Sequence, residues 1–242
     1  MSAHKPQADF QQIWERHQDT DKISRHGYHR FYPFFLDHLR QRGDVRMVEI
    51  GVNRQGSLRA WRDYFPGCAF WGIEIKAEKE LEEIEPGAFV VRGDQSDPAF
   101  LVRLTEVVGA PVDFILDDGS HVPSHQLSTF DYLFQHLLKP GGCFIIEDIE
   151  TSYWKHAKLY GYEVNFGVGH PKSTVEVFRK LADCCNSEYH TERYTPAEPI
   201  SHATQDHIEA IMFAQNTIIV TKKDPGAFGA YYGRRYKNTN KL

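Results

Sequence analysis

The sequence predicts an α/β fold in which helices cover both faces of a mostly parallel sheet. From about Asp44 onward, short apolar runs alternate with amphipathic stretches, which is the pattern of strands separated by crossover helices. The chain has 242 residues, of which 41% are hydrophobic and 25% charged, so it is long enough to bury a full core. We expect a single domain that spans residues 1–242.

The strands are predicted from the apolar runs, and each ends in or beside polar residues. In chain order they cover residues 45–50, 69–75, 88–92, 112–117 and 143–147. Two further apolar runs, 207–214 and 217–221, flank Gln215-Asn216 and predict a closing β-hairpin. Residues 44–222 would therefore contain the sheet, and residues 223–242 would form a tail.

Helix start and stop signals lie between the predicted strands. The clearest helix begins with Asp97 as its N-cap residue and Pro98 at its first position, and it ends at Gly109. A second helix is predicted over residues 123–138, and a capping box at Ser173 begins a third.

Two segments of the chain fall outside this alternation. Residues 1–43 contain helical stretches at 10–18 and 28–40, which we expect to cover one edge of the sheet. The aromatic segment 151–170 has no clean period and follows a strand, so it is predicted to be a lid over a binding site.

Composition and charge exclude several classes of partner. A net charge of -5 gives no electrostatic reason to expect a nucleic-acid partner, because duplex binding depends on a clustered basic face. No run approaches the roughly 20 apolar residues that cross a bilayer, and the N-terminus is polar where a signal peptide is apolar. The four cysteines have no C-x-x-C spacing, so we expect reduced thiols. These features predict a cytoplasmic protein that acts on a diffusible small molecule and has no membrane partner; homo-oligomer formation stays open.

The loop after the first strand is the first candidate for binding a cofactor, because ligands bind beyond the carboxyl ends of parallel strands. It begins with Gly51, contains Asn53 and reaches Ser57, but it lacks the full G-x-G-x-x-G pattern, so an ordinary strand-to-helix turn is the alternative. Glu74 strengthens the prediction, since an acidic residue roughly 20 positions later can accept hydrogen bonds from a ribose.

Further polar residues extend the predicted cofactor site. Asp94 and Gln95 follow the third strand, where the edge of an adenine ring would lie, and we add Asp117 at the end of the fourth. A carboxylate at Glu49 that faced the loop would repel a pyrophosphate. Glu49 therefore favours S-adenosylmethionine, which carries an ammonium and a sulfonium, over NAD.

Acidic residues and one histidine are concentrated at the ends of the fourth and fifth strands: Asp117, Asp118, His121, Glu147 and Asp148. With no arginine or lysine nearby in the sequence, these carboxylates would repel one another unless they were protonated or shared a cation. Oxygen ligands suit Mg²⁺ or Mn²⁺. The alternative is that Asp118 and Asp148 cap the helices that follow them.

His121 is predicted to be the catalytic base. A neutral imidazole close to a bound hydroxyl can accept its proton as the oxygen attacks. The predicted chemistry is methyl transfer to a hydroxyl group, with His121 and Asp118 as catalytic residues.

Several motifs together resemble the metal-dependent O-methyltransferases that act on macrolide sugars, such as the deoxysugars of mycinamicin and tylosin. They are Thr20-Asp21-Lys22, Glu49-Ile50-Gly51-Val52, Leu58-Arg59-Ala60-Trp61, Gly93-Asp94-Gln95-Ser96-Asp97, Asp117-Asp118-Gly119-Ser120-His121, Glu147-Asp148 and Thr151-Ser152-Tyr153-Trp154. The resemblance runs from about Thr20 to the closing hairpin. It implies a Rossmann-like class I methyltransferase fold with a seven-stranded sheet that includes an antiparallel strand.

The resemblance also implies roles for individual residues. Mg²⁺ would be bound by Asp118, Glu147 and Asp148, and His121 would be the base. We expect three residues to bind the acceptor: Lys22, Tyr153 and Trp154. The macrolide enzymes carry an additional N-terminal domain that we do not find in this sequence, so we expect their acceptor recognition and oligomer assembly to transfer less readily.

The predicted acceptor is a hydroxyl of a sugar or of a glycosylated natural product. A catechol-like phenol is the alternative, because the same metal geometry binds any pair of adjacent oxygens. Two other classes stay open: a non-catalytic cofactor-binding protein, similar to the cephalosporin-hydroxylase-associated proteins, and a hydride-transfer enzyme that uses NAD.

Overall fold

The computed structural model describes residues 9–190 and 197–228, so most of the predicted tail lies outside the described residues. The strands are β1 (Arg46–Ile50), β2 (Ala69–Glu74), β3 (Leu81–Glu85), β4 (Ala88–Arg92), β5 (Val112–Asp117), β6 (Leu138–Glu147), β7 (Ala157–Leu159), β8 (Tyr162–Val164), β9 (Ile208–Ala214) and β10 (Thr217–Lys222). The α-helices are α1 (Phe10–Trp14), α2 (Tyr32–Leu36), α3 (Gly56–Tyr64), α4 (Pro98–Val108), α5 (Pro123–His136), α6 (Thr174–Leu181), α7 (His202–Gln205) and α8 (Pro225–Phe228). Short 3₁₀ helices cover Tyr28–Arg30, Asp37–Leu39, Ile149–Tyr153 and Ala182–Tyr189.

The main sheet has eight strands in the order β3-β4-β2-β1-β5-β6-β10-β9. Five neighbouring strands of this sheet are parallel to one another: β4, β2, β1, β5 and β6. Strand β10 runs antiparallel to β6. The predicted α/β class and the closing hairpin are therefore confirmed. Because the carboxyl ends of the parallel strands share one edge, the loops that follow them meet there.

The implied count of seven strands is one too few. The additional strand, β3, has the sequence LEEIE and pairs antiparallel with β4 at the edge of the sheet. An edge strand with one solvent-facing side can carry charged residues, so its sequence has no apolar run that would reveal it.

The fifth predicted strand begins five residues earlier than residue 143. Leu138 pairs with Val112, and the register then shifts before Cys143 pairs with Phe114. Gly141, at φ 74°, lies in this irregular stretch. Residues 139–142, which lie between the predicted helix and the predicted strand, are thus part of β6.

The segment before β1 packs against a face of the sheet, whereas we predicted that it covers an edge. The side chains of Trp14, Tyr32 and Leu36 belong to the same buried cluster as Trp61 of α3 and Phe114 of β5. Phe10 stacks on Trp14 with ring centroids 5.0 Å apart. The large aromatic side chains need a broad apolar surface, and the face of the sheet provides it.

Within residues 9–190 and 197–228, none of the helices combines the length and the apolar character that crossing a membrane requires.

Candidate active site

A cavity of about 700 Å³ opens where the parallel strands end. Its size falls in the range of small-molecule and cofactor sites. One side, which we call the cofactor half, is formed by the following residues: Gly51, Asn53, Glu74, Asp94 and Gln95. The other side, the acidic half, is formed by Asp118, His121 and Asp148. The structure therefore brings to one cavity eight of the residues predicted for cofactor binding, metal binding or catalysis.

The cofactor half is shaped by backbone contacts as much as by side chains. Gly51 has φ 85°, and a Cβ at that position would collide with the carbonyl oxygen of Asp118. The side chain of Glu74 accepts hydrogen bonds from the backbone N–H groups of Asn53 and Lys76, both at 3.0 Å. Glu74 is thereby fixed on the cavity wall, where its carboxylate can meet hydroxyl groups of a ligand.

Two other residues predicted to bind the cofactor lie beneath the wall of this cavity. Glu49 is fully buried and its Oε2 accepts a hydrogen bond from the Ser57 hydroxyl at 2.8 Å. Burial raises the pKa of Glu49 to about 7. Ser57 itself lines a second cavity of about 490 Å³ that adjoins Gly51 and Asp118. Glu49 does not face the main cavity, so it is not placed to repel a pyrophosphate bound there. The argument that Glu49 favours S-adenosylmethionine over NAD therefore has no geometric basis.

Asp117 is also buried, and it holds Gln95 in place. The amide nitrogen of Gln95 donates to both carboxylate oxygens of Asp117, at 3.0 and 3.1 Å. The amide oxygen of Gln95 accepts from the backbone N–H of Ser120 at 2.6 Å. Burial raises the pKa of Asp117 to about 6. Asp117 therefore supports the cavity wall through Gln95 rather than lining it.

The acidic half contains the group of side chains best arranged to bind a metal among the described residues. One potential ligand atom from each of Asp118, His121 and Asp148 lies within 4.8 Å of the other two. His121 Nε2 is 3.7 Å from Asp148 Oδ2, and His121 Nδ1 is buried without a hydrogen-bond partner. Both His121 and Asp148 have left-handed backbone conformations, at φ 57° and φ 52°. Such strain in non-glycine residues is concentrated at functional sites.

A lysine lies among these carboxylates, contrary to our expectation from the sequence that no cation is near them. Lys22 is 1% exposed, and its Nζ donates to Asp118 Oδ2 at 2.7 Å and to Glu147 Oε2 at 2.5 Å. Nζ also lies 3.4 Å from Glu49 Oε1. Burial favours the neutral amine, but the three carboxylates raise the pKa of Lys22. We predicted that Lys22 binds the acceptor; the structure directs its ammonium at protein carboxylates.

The adjacent residues Glu147 and Asp148 have different surroundings. Glu147 is buried between Lys22 and the Tyr32 hydroxyl, and it is not part of the group of potential metal ligands. Asp148 lines the cavity, and its Oδ1 accepts hydrogen bonds from the Tyr28 hydroxyl at 3.0 Å and from Asn216 at 2.8 Å. The structure thus separates the two carboxylates that the resemblance assigns to one ion.

A nearby cation would stabilise the ionised carboxylates of Asp148 and of its neighbour Glu147. Burial, and then the charge of Asp118, raises the pKa of Asp148. Burial raises the pKa of Glu147, even though Lys22 opposes the shift. A group whose pKa is raised by burial and like charges is stabilised in its ionised form by an added positive charge.

The lid borders the cavity with aromatic residues. Residues Trp154, Leu159, Tyr160 and Tyr162 line the cavity, and the last three come from the hairpin of β7 and β8. Tyr153 is 46% exposed and does not line the cavity. Of the two lid residues assigned to the acceptor, Trp154 is therefore placed where a ligand can reach it.

The sequence analysis did not predict the polar residues that residues 19–32, which we call the N-terminal segment, contribute to the site. The Tyr28 hydroxyl donates a hydrogen bond to Asp148, and the Tyr32 hydroxyl donates one to Glu147. His26 Nδ1 lies 3.4 Å from Asp148 Oδ1. The sequence does contain a signal for these contacts. Tyr28 and Tyr32 are four positions apart on one face of a predicted helical stretch, and buried tyrosine hydroxyls need polar partners.

Comparisons with known proteins give a consistent set of relatives. The chain is 34% identical over 218 residues to the 8-demethyl-8-alpha-L-rhamnosyl tetracenomycin-C 2'-O-methyltransferase of Streptomyces olivaceus, a match that covers 87% of this chain and 54% of the relative. It is 34% identical to the L-olivosyl-oleandolide 3-O-methyltransferase of Streptomyces antibioticus, over 75% of this chain and 46% of that one. The chain thus spans about half the length of the curated relatives it matches. No family model matches it.

The fold is also found in a solved structure. The MycE methyltransferase from the mycinamycin biosynthetic pathway, in complex with Mg and SAH, matches with a TM-score of 0.75 and 26% identity. The match covers 90% of this chain and 55% of the MycE chain. A second MycE structure, with Mg, SAH and mycinamycin VI, matches with a TM-score of 0.74.

Proposed function

Because the chain is related in sequence and fold to the sugar O-methyltransferases of natural-product pathways, as its motifs predicted, we propose that it catalyses methyl transfer. The donor is S-adenosylmethionine, and the acceptor is a hydroxyl of a sugar or of a glycosylated small molecule. The observation that carries the proposal is the meeting of Asp118, His121 and Asp148 at one cavity with the cofactor half.

The cofactor half fits an adenosyl group. The carboxylate of Glu74, fixed by two backbone N–H groups, can accept hydrogen bonds from the ribose hydroxyls. Asp94 presents a carboxylate to the same cavity, where it can bind the edge of the base. Gln95, whose amide is held by Asp117 and Ser120, forms the wall beside it. Gly51 lets the chain turn tightly beside Asp118, so the cofactor half and the acidic half are adjacent.

The acidic half fits a divalent cation such as Mg²⁺ or Mn²⁺. Asp118 and Asp148 would bind it, because they are the cavity-lining carboxylates whose ligand atoms lie within 4.8 Å of each other and of His121. Glu147 stays a predicted third ligand, which would have to exchange its contact with Lys22. A bound cation would act as a Lewis acid that makes the acceptor hydroxyl more acidic.

His121 accepts the proton of the acceptor hydroxyl in this proposal. S-adenosylmethionine would supply the methyl group: the hydroxyl oxygen would bond to the methyl carbon as the carbon–sulfur bond broke, and the sulfonium would leave as a neutral thioether. The proton passes to the imidazole, which is stabilised by Asp148 at 3.7 Å. The aromatic lid residues, with Trp154 at the cavity, limit the access of water to the reacting groups.

The test is calorimetric titration of the purified, metal-stripped protein with S-adenosylmethionine and with NAD, each with and without Mg²⁺. Binding of S-adenosylmethionine but not NAD supports the proposal and leads to a screen of glycosides and catechols as acceptors. Binding of NAD, or of neither ligand, contradicts it. Cytoplasmic location and homo-oligomer formation stay predictions.

A further inference from the structure

Lys22 is a cation that the methyl-transfer chemistry does not use. Its ammonium is almost fully buried and bridges Asp118 and Glu147, with Glu49 Oε1 at 3.4 Å. A buried ammonium normally costs several kcal/mol of desolvation and persists only where anions compensate it. Three carboxylates share this one ammonium, and one of them, Asp118, also faces the cavity as a potential metal ligand.

We propose that Lys22 is an internal counter-ion that competes with the divalent cation for Asp118 and Glu147, and so sets how tightly that cation binds. The inference rests on the proposed function, because it assumes that the acidic half binds a cation. Lys22 is a positioning residue in this proposal: it touches the carboxylates and leaves the acceptor and the cofactor to other side chains.

The N-terminal segment is anchored on both sides of Lys22, which fixes the backbone of this residue beside the carboxylates. Gly56 begins α3 directly beneath this segment, and a Cβ there would collide with the backbone carbonyl of Asp19. The Asp19 side chain pairs with Arg59 of the same helix. On the other side of Lys22, its carbonyl oxygen accepts a hydrogen bond from the N–H of Tyr28 at 2.9 Å.

The competition follows from charge and geometry. Asp118 Oδ2 is occupied by Lys22, so a cation that binds the Asp118 carboxylate lies close to a fixed positive charge. Like charges a few ångströms apart in a partly buried site repel each other by an amount that changes affinity about tenfold or more. The ammonium also holds the Glu147 carboxylate at 2.5 Å, which keeps that carboxylate from the cation.

The experiment measures Mg²⁺ and Mn²⁺ affinity calorimetrically, without cofactor or acceptor, in the metal-stripped wild type and in Lys22→Met. We expect the variant to bind both cations about tenfold more tightly. The matched control is Lys79→Met, which removes the same charge from an exposed residue paired with Glu82, and which should leave the affinity unchanged. The double variant Lys22→Met/Glu147→Gln should return to within about threefold of the wild type, because it removes one charge of each sign.

A lysine with a purely structural role would give a different pattern. Its removal would lower the melting temperature and leave cation affinity unchanged or weaker, and either affinity result would overturn the proposal. If Lys22→Met does not fold, Lys22→Gln, which has an uncharged polar side chain one atom shorter than lysine, is held to the same criteria. A wild type that binds S-adenosylmethionine and Mg²⁺ while both Lys22 variants match it would refute only this inference. A wild type that binds neither ligand would refute the proposed function itself.

Discussion

The N-terminal segment and the lid both border the cavity, but they are built in opposite ways. In the N-terminal segment, Lys22, Tyr28 and Tyr32 are buried, and the polar end of each side chain bonds to a carboxylate of the site. In the lid, Tyr160 is 71% exposed and Val168 is 82% exposed. Buried polar contacts fix positions, whereas exposed aromatic side chains offer a surface that a ligand can cover.

The two segments should therefore respond differently to substitution. Variants of the acidic half and of the N-terminal segment should alter chemistry, cation affinity and stability. Variants of the lid should alter how strongly the acceptor binds.

The largest effect is expected for His121→Ala. Removal of a catalytic base typically lowers turnover by about 10²–10⁴-fold, and acceptor binding should change little. The acidic limb of the pH-rate profile should disappear, because the group whose protonation stops the reaction is gone. The control is His125→Ala, a histidine that contacts Ser120 and does not line the cavity. An unaltered pH profile in His121→Ala would remove this residue from the mechanism.

Asp148→Asn should reduce metal-dependent turnover by roughly 10²-fold, because a divalent cation requires ionised ligands. Asparagine tolerates the left-handed conformation of this residue, so the fold should be kept. Calorimetry should show weaker Mg²⁺ binding and nearly unchanged affinity for S-adenosylmethionine. Glu150→Gln, which also removes a charge from the cavity wall, should have a much smaller effect on Mg²⁺. Loss of cofactor binding in Asp148→Asn would show that the residue belongs to the cofactor half.

The same contrast explains how much could be predicted from the sequence. The ends of the central strands could be located because parallel strands are apolar and end in polar residues, as at Glu74, Asp94 and Asp118. The position of Lys22 could not be predicted, because it lies 96 residues before Asp118 in the chain and no local pattern reports a tertiary contact. Strand β3 was missed for a related reason, since the charged residues of an edge strand do not show its pairing with β4.

The roles of individual carboxylates were equally hidden. Glu147 and Asp148 are adjacent, and the sequence gives no reason to treat them differently. Strand geometry separates them: Glu147 ends β6 and points into the protein toward Lys22, whereas Asp148 adopts a left-handed conformation and lines the cavity. Side chains alternate across a strand, so neighbouring residues face different environments.

Gly56→Ala tests whether the N-terminal segment depends on its close contact with α3. The added methyl group would collide with the carbonyl of Asp19, and overpacking of this kind typically costs about 1–3 kcal/mol of unfolding free energy. Urea denaturation should show the loss at an unchanged m-value. Gly43→Ala is the matched control, because a Cβ at Gly43 would meet no atom within 4 Å. Equal stability of the two variants would show that the segment tolerates displacement.

The smallest effect is expected in the lid, for Trp154→Ala. Trp154 lines the cavity and is only partly buried, so it can lose contact area with an acceptor without opening the core. The loss of one aromatic contact, about 1–1.5 kcal/mol, corresponds to a roughly tenfold higher KM for the acceptor. The kcat and the affinity for S-adenosylmethionine should stay within about threefold of the wild type. Val168→Ala, an exposed lid residue away from the cavity wall, should change none of these values. If Trp154→Ala instead weakened S-adenosylmethionine binding and left KM unchanged, the lid would belong to the cofactor site, and the division between the two segments would fail.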